Sequence, residues 1–234
     1  MTSGYDRRRI RLMHTSDLHI GTDIYPDEAL QGFESMLELS RSTASDAVLI
    51  AGDLFDHQRV PKRIVDQVMG DLGDLELPVV ILPGNHDAVL KDDIDIGNLP
   101  ANVSLITRPE GQSVTLEQIG LTIWGRPVFN HVPSFSPLEG MPDRPSGGWF
   151  VAMAHGLFME EVDPMRSSPI TPEEVAAATC HYLALGHVHV YRDVSKKGIP
   201  AHYSGAPSGS QTKTVAVVDL DPADGVSVLP LEIK

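Results

Sequence analysis

The sequence predicts an α/β fold (α+β in some schemes) with two mixed β-sheets face to face and helices outside, a four-layer αββα sandwich. Three observations carry this. The first half of the 234-residue chain alternates apolar runs with amphipathic stretches in β-α-β-α-β order, which implies parallel strands and crossover helices. The second half holds short apolar runs joined by turns, with no long helix between them, as a second sheet would. Five of the apolar runs deliver Asp, Asn or His where a strand should stop, the edge at which open α/β sheets collect ligands.

Taken in order, residues 1–8 read as a loose polar tail and residues 10–14 as the first strand. Residues 27–43 form a helix, because Leu30, Phe33, Leu37 and Ser40 share one stripe with Ala29 and Met36 beside it. Residues 46–51 are β-branched and apolar, a buried strand. Pro61 suits the first turn of a helix through Leu75, with Ile64, Val65, Val68, Met69 and Leu72 inward. Pro78 ends that stretch and residues 79–82 form the next strand. Strands follow at 103–106, 113–116, 121–124 and 149–154. A short helix at 172–179 has Thr171 as its N-cap and Glu173 and Glu174 in its first turn. Further strands are expected at 182–185, 201–204, 214–220 and 226–233, the last two forming a terminal hairpin. The whole of 1–234 is expected to be one domain, with no accessory DNA-binding or capping domain. Two segments read as loops: 126–148, with five Pro and three Gly, and 157–170. Loops of this length are commonly functional, and both adjoin the ligand edge.

Composition narrows the classes. A net charge of −14, from 18 basic and 32 acidic residues, repels polyanions and argues against a dedicated nucleic-acid binder. The single Cys180 cannot form an internal disulfide, which fits a reducing compartment. No apolar stretch reaches membrane-span length, and the basic residues near the N-terminus are not followed by the apolar core of a signal peptide. A cytoplasmic protein with no membrane partner is expected.

The five strand ends read Asp17-Leu18-His19, Gly52-Asp53, Pro83-Gly84-Asn85-His86-Asp87, His155-Gly156 and Gly186-His187-Val188-His189. Any one of them is most simply a turn with an Asx hydrogen bond. Together they place seven ligand candidates at one edge, a crowding that is costly without a cation. Mixed imidazole, carboxylate and amide donors without thiolate suit manganese, iron or zinc rather than a closed structural zinc site.

This set resembles the calcineurin-like metallophosphoesterase superfamily over residues 10–208, with its core motifs present and in order. Within it, His14-Thr15-Ser16-Asp17-Leu18-His19-Ile20-Gly21, Gly52-Asp53-Leu54-Phe55-Asp56 and Ala184-Leu185-Gly186-His187-Val188-His189 are most similar to SbcD-type DNA repair exonucleases, as is Tyr203-Ser204-Gly205-Ala206-Pro207. The resemblance implies two divalent metal ions, manganese ahead of iron or zinc. Asp17, His19, Asp53 and His189 would hold one; Asn85, His155 and His187 the other, with Asp53 bridging. It also implies that His86 faces the leaving group as general acid. Asp87 is read as an orienting or bracing residue, and His131 and His202 as candidates for facing substrate. His14, His57 and His181 are read as structural or solvated.

The expected activity is phosphoester hydrolysis by a hydroxide generated at the metals, on phosphodiesters ahead of monoesters. A small nucleotide or a nucleic-acid end is a plausible substrate, with a partner subunit if the protein is nuclease-like. The alternatives are a phosphomonoesterase, of small-molecule or Ser/Thr protein phosphatase type, and a non-catalytic scaffold. The scaffold should have lost ligands or His86, and every one is present.

Overall fold

The computed structural model describes residues 7–92 and 99–233. The elements run β1 (Ile10–Thr15), α1 (Pro26–Ser42), β2 (Ala47–Ala51), α2 (Lys62–Gly73), β3 (Val79–Leu82), α3 (Ala88–Asp92) and β4 (Val103–Leu105). They continue with β5 (Gln112–Leu116), β6 (Leu121–Gly125), β7 (Trp149–His155), β8 (Leu157–Phe158), β9 (Pro169–Ile170) and α4 (Pro172–Ala177). The last are β10 (Tyr182–Gly186), β11 (Tyr191–Asp193), β12 (Ala201–Ser204), β13 (Thr214–Asp221) and β14 (Gly225–Glu232).

Two six-stranded sheets result, in the orders β14-β13-β1-β2-β3-β4 and β11-β12-β10-β7-β6-β5. The first sheet is parallel from β1 to its β4 edge, and the second is parallel through β6, β7, β10 and β12 with antiparallel strands β5 and β11 at its edges. The β13–β14 hairpin extends the first sheet antiparallel to β1. Strand alternation assigns the layers. Leu12, Leu49, Ala51, Val80 and Leu82 face Ile123, Val151, Met153, Tyr182 and Ala184 across the space between the sheets. The opposite faces of β1 to β3, with Met13, Val48, Ile50 and Ile81, pack on Phe33, Met36, Val65, Val68 and Leu72 of α1 and α2. Pro26 opens α1 with Asp27 and Glu28 in the first turn and Arg41 in the last, so charge and helix dipole agree.

The outer face of the second sheet is covered differently. Phe150, Ala152, Leu183 and Leu185 pack on Phe158 of β8, Ile170 of β9, Val175 of α4 and the loop residues Leu138 and Val194. Its one short helix, α4, is held by a capping box: Thr171 Oγ1 accepts from Glu174 N at 3.2 Å, and Glu174 Oε2 accepts from Thr171 N at 2.8 Å.

Some expectations need correction. Residues 1–6 of the expected tail lie outside the described residues, but Arg7 and Arg8 are not loose. Arg7 donates to Gly148 O at 2.8 Å and lies over the Trp149 ring, and Trp149 Nε1 donates to Arg8 O at 2.8 Å. The 157–170 segment holds the two-residue strands β8 and β9, and β11 forms a polar edge strand. No helix among the described residues is long and apolar enough to cross a membrane.

Candidate metal centre

The loops that leave β1 and β2 run side by side past the sheet edge. Asp17 N donates to Gly52 O at 2.9 Å, His19 N to Asp53 O at 3.0 Å and Ile20 N to Leu54 O at 3.0 Å. This pairing forces unusual backbone. Asp17, His19, Asp53 and His187 have φ of 55°, 49°, 54° and 97°, half of the eight non-glycine positive-φ residues described. Asp and His tolerate this region better than most residues, and such strain gathers at functional sites. Glycine supplies the remaining clearance: a Cβ on Gly52 would collide with His155 Nδ1, and one on Gly84 with Asp53 Oδ1.

Among the described residues three groups of ligand atoms lie within 4.8 Å: His19, Asp56 and His86 at the rim, and two more deeply buried clusters, Asp17, His19 and His189, and Asp53, His155 and His187. The two buried clusters meet at Asp53. Its Oδ2 lies 3.2 Å from His155 Nε2 and 3.9 Å from His19 Nε2. Asn85 Oδ1 joins the second cluster, 3.1 Å from His155 Nε2. In the first, His189 Nε2 is 3.5 Å from Asp17 Oδ1 and 3.3 Å from His19 Nε2.

The donor set fits a pair of cations on three grounds. Asp17 Oδ1 is buried and has no hydrogen-bond partner, while its Oδ2 accepts from His187 N at 2.9 Å. His155 Nδ1 donates to Ala51 O at 2.9 Å, which turns Nε2 and its lone pair toward Asp53 and Asn85. His19 Nδ1 donates to Asp56 Oδ1 at 2.9 Å, presenting Nε2 in the same way.

Electrostatics agree. Burial pushes His187 down to about 4 and lowers His19, so both offer lone pairs at neutral pH. Burial also works against the charged form of His155, but Asp53 outweighs it and raises the imidazole to about 9. The carboxylate of Asp17, 3.5 Å away, raises His189, against burial. Burial raises Asp53 as well, yet His155 and His19 hold it well below the usual carboxylate range. Without a cation, protons occupy sites where metals would bind.

His86 stands at the rim of the first cluster, its ring 4.8 Å from that of His19. Its backbone N donates to Asp53 Oδ1 at 2.9 Å, and its Nδ1 donates to Asp56 O at 2.8 Å. Asp87 is fully buried and accepts from Gly84 N, Phe55 N and Leu54 N at 2.8, 2.8 and 3.3 Å. It ties the β2 and β3 edge loops together. Burial raises its carboxyl to about 6 against the pull of those donors.

Of the two substrate-facing candidates, His131 is brought beside the centre, its ring 5.3 Å from His187. His202 is not. Alternation on β12 turns it inward, stacked on Tyr182 and Tyr191, with Nε2 3.5 Å from Asp193 Oδ1. His14 is buried against Tyr182 OH at 2.9 Å, and His181 Nδ1 accepts from Phe150 N at 2.9 Å. Asp56, given no role from the sequence, orients His19 with its side chain and His86 with its carbonyl. Its one signal was its place in the Gly52–Asp56 stretch.

Residues 10–191 match the family model described as calcineurin-like phosphoesterase. The DNA double-strand break repair protein Mre11 of Aeropyrum pernix is 28% identical over 218 residues, 83% of this chain and 53% of that protein. One component of the nuclease SbcCD of Escherichia coli is 32% identical over 87 residues, 34% of this chain and 22% of that protein. The chain thus spans about half, or less, of the length of these curated relatives. A dimetal phosphatase from Danio rerio has the same fold, with a TM-score of 0.61 at 12% identity over 96% of this chain and 99% of that one. With the family match spanning most of the sequence and that fold beneath it, the chain belongs to the calcineurin-like phosphoesterase family.

Proposed function

We propose that this protein is a two-metal phosphoesterase acting on phosphodiesters ahead of monoesters, related in its core to DNA repair exonucleases. The observation that carries the reading is the meeting of two ligand clusters at Asp53, beside the unpartnered Asp17 Oδ1. Asp17, His19, His189 and Asp53 would hold one cation, and Asn85, His155, His187 and Asp53 the other, with manganese favoured by the oxygen and imidazole donors. Such a pair, when bound, polarises a phosphoryl oxygen and brings the pKa of water from 15.7 down to about 7.

The chain's own groups do the rest. The carbonyl of Asp56 fixes the proton of His86 on Nδ1 and leaves Nε2, on a half-exposed ring, for the substrate. As imidazolium, His86 hands the Nε2 proton to the departing ester oxygen as its bond to phosphorus breaks, an effect typically worth about 10²–10⁴ in rate. Asp87 keeps the turn rigid beneath it. The preference for diesters draws on the Mre11 and SbcCD relatives, and the substrate favoured is a small nucleotide or a nucleic-acid end. A partner subunit is part of the reading, as is a reducing compartment, which suits the lone buried Cys180.

Turnover of bis(4-nitrophenyl) phosphate beside 4-nitrophenyl phosphate, with manganese restored after chelation, tests the proposal. Faster diester hydrolysis, abolished by EDTA and regained with manganese, is the expected result. Faster monoester hydrolysis would favour a phosphatase. Bound metal with turnover of neither would retire the enzyme reading for a scaffold.

A further inference from the structure

We propose that His131 is a substrate-binding residue that donates a hydrogen bond to the phosphate group on the His187 side of the centre. The inference rests on the phosphoesterase reading and extends it to a residue outside both ligand clusters.

Each cluster has one histidine at its outer margin. His86 lies edge-on to His19 at 4.8 Å, and His131 lies edge-on to His187 at 5.3 Å with an interplanar angle of 76°. Among the described residues His131 joins none of the groups whose ligand atoms converge within 4.8 Å, and it stands beside His187 of one of them. His131 is exposed to the solvent from which a substrate arrives.

The segment that carries His131 is rich in Pro and Gly, yet it is pinned on both sides of the residue. Val128 N donates to Pro83 O at 3.0 Å, immediately before the Gly84-Asn85-His86 turn. Ser168 N donates to Val132 O at 3.1 Å, and Phe135 N closes a turn on the same carbonyl at 3.1 Å. These contacts tether His131 between the β3 edge and the 157–170 loop, with His187 against its ring. A backbone held this way needs little further ordering when the side chain meets a ligand.

The chemistry of the centre calls for such a donor. The positive charges that act on Asp17 and Asp53 come from histidines, chiefly His155 and His189. Imidazoles therefore take the place that an Arg clamp has in other phosphate sites. A phosphate spanning the two clusters would have His86 at one margin and His131 at the other. His86 serves the leaving oxygen, so His131 is placed for a non-bridging oxygen or the retained ester.

The test compares wild type, His131→Ala and His131→Gln, each loaded with manganese. Metal content is measured by elemental analysis, inorganic phosphate affinity by calorimetry, and KM and kcat on the aryl diester. For His131→Ala we expect phosphate affinity to fall about tenfold and KM to rise in parallel, as loss of one hydrogen bond to a charged group implies. Manganese content should stay at the wild-type level, and His131→Gln should recover much of the loss. Unchanged affinity in His131→Ala overturns the inference, as does loss of manganese, which would make His131 a support for His187. Wild type that takes up no phosphate overturns it too. Phosphate binding that depends on His131, in a protein that turns over neither ester, would sustain the inference while removing the enzyme reading.

Discussion

A charged group buried without a partner is expensive, about 1–3 kcal/mol for a polar atom and more for an ion, so Asp17 Oδ1 needs a cation or a proton nearby. The same holds at His155, where Asp53 raises the imidazole from 6.5 to about 9 despite burial. In the metal-free protein the stability from this raised pKa is fully present below pH 6.5 and is lost as pH rises through about 9. Metal binding reverses the dependence, because a cation at Nε2 must displace that proton. At pH 7 His155 is protonated without metal. Manganese uptake at pH 7 should therefore release about one proton from His155, and affinity should climb with pH until about pH 9. Calorimetric titrations in buffers of different ionisation enthalpy measure the release. A heat independent of buffer would show that His155 is not displaced and is not a ligand.

At the scale of the element, the centre depends on β2, β7 and β10 approaching one another more closely than side chains would permit. Gly52 has φ of 97°, and its missing Cβ is the space taken by His155 Nδ1. Gly52→Ala combines left-handed strain of about 1–2 kcal/mol with a clash against His155. For a domain of this size that lowers the unfolding temperature by at least about 2–8 °C, read by calorimetry, with manganese affinity falling as His155 is displaced. An unchanged melting temperature would mean that the loop has room to yield. The same elements explain what the sequence could and could not tell. Fully buried strands such as β2 and β3 were legible from unbroken apolar runs, and ligand candidates were legible because strands end at a shared edge. The edge strand β11, half-exposed to exposed along its length, carried no apolar signal, and the two-residue β8 and β9 are too short for any period to register. Asp56 had a place in the Gly52–Asp56 stretch but no legible role, because its partners, His19 and His86, are 37 and 30 residues away and meet it only in the fold. His202 misled because nearness in sequence to the Tyr203 stretch says nothing about which face of β12 it takes.

Across the whole molecule, charge is set against long nucleic acid as a tightly held ligand. The chain carries −14 overall, and its densest basic group, Arg7, Arg8, Arg9 and Arg11, sits at the amino end of β1. The centre follows the carboxyl end of that strand, about 20 Å away at about 3.3 Å per residue. Those arginines are also engaged: Arg11 is bidentate to Asp219 at 2.8 and 2.9 Å, Arg9 lies 3.3 Å from Asp219, Arg8 pairs with Asp46 and Arg7 stacks on Trp149. They offer no basic track leading to the site. A nucleic-acid end would then be gripped through one or two phosphates at the metals and histidines. A protein contacting 6–10 phosphates loses about 10³–10⁵ in affinity between 50 and 200 mM salt. With one or two contacts and a slope of about −0.7 per phosphate on a single strand, the loss over that range stays below about tenfold. The Michaelis constant for a short single-stranded oligonucleotide, measured with manganese at 50 and 200 mM salt, should therefore rise by less than about tenfold. A rise of about a thousandfold would mean that this chain holds an extended stretch of backbone on a surface its arginines do not supply.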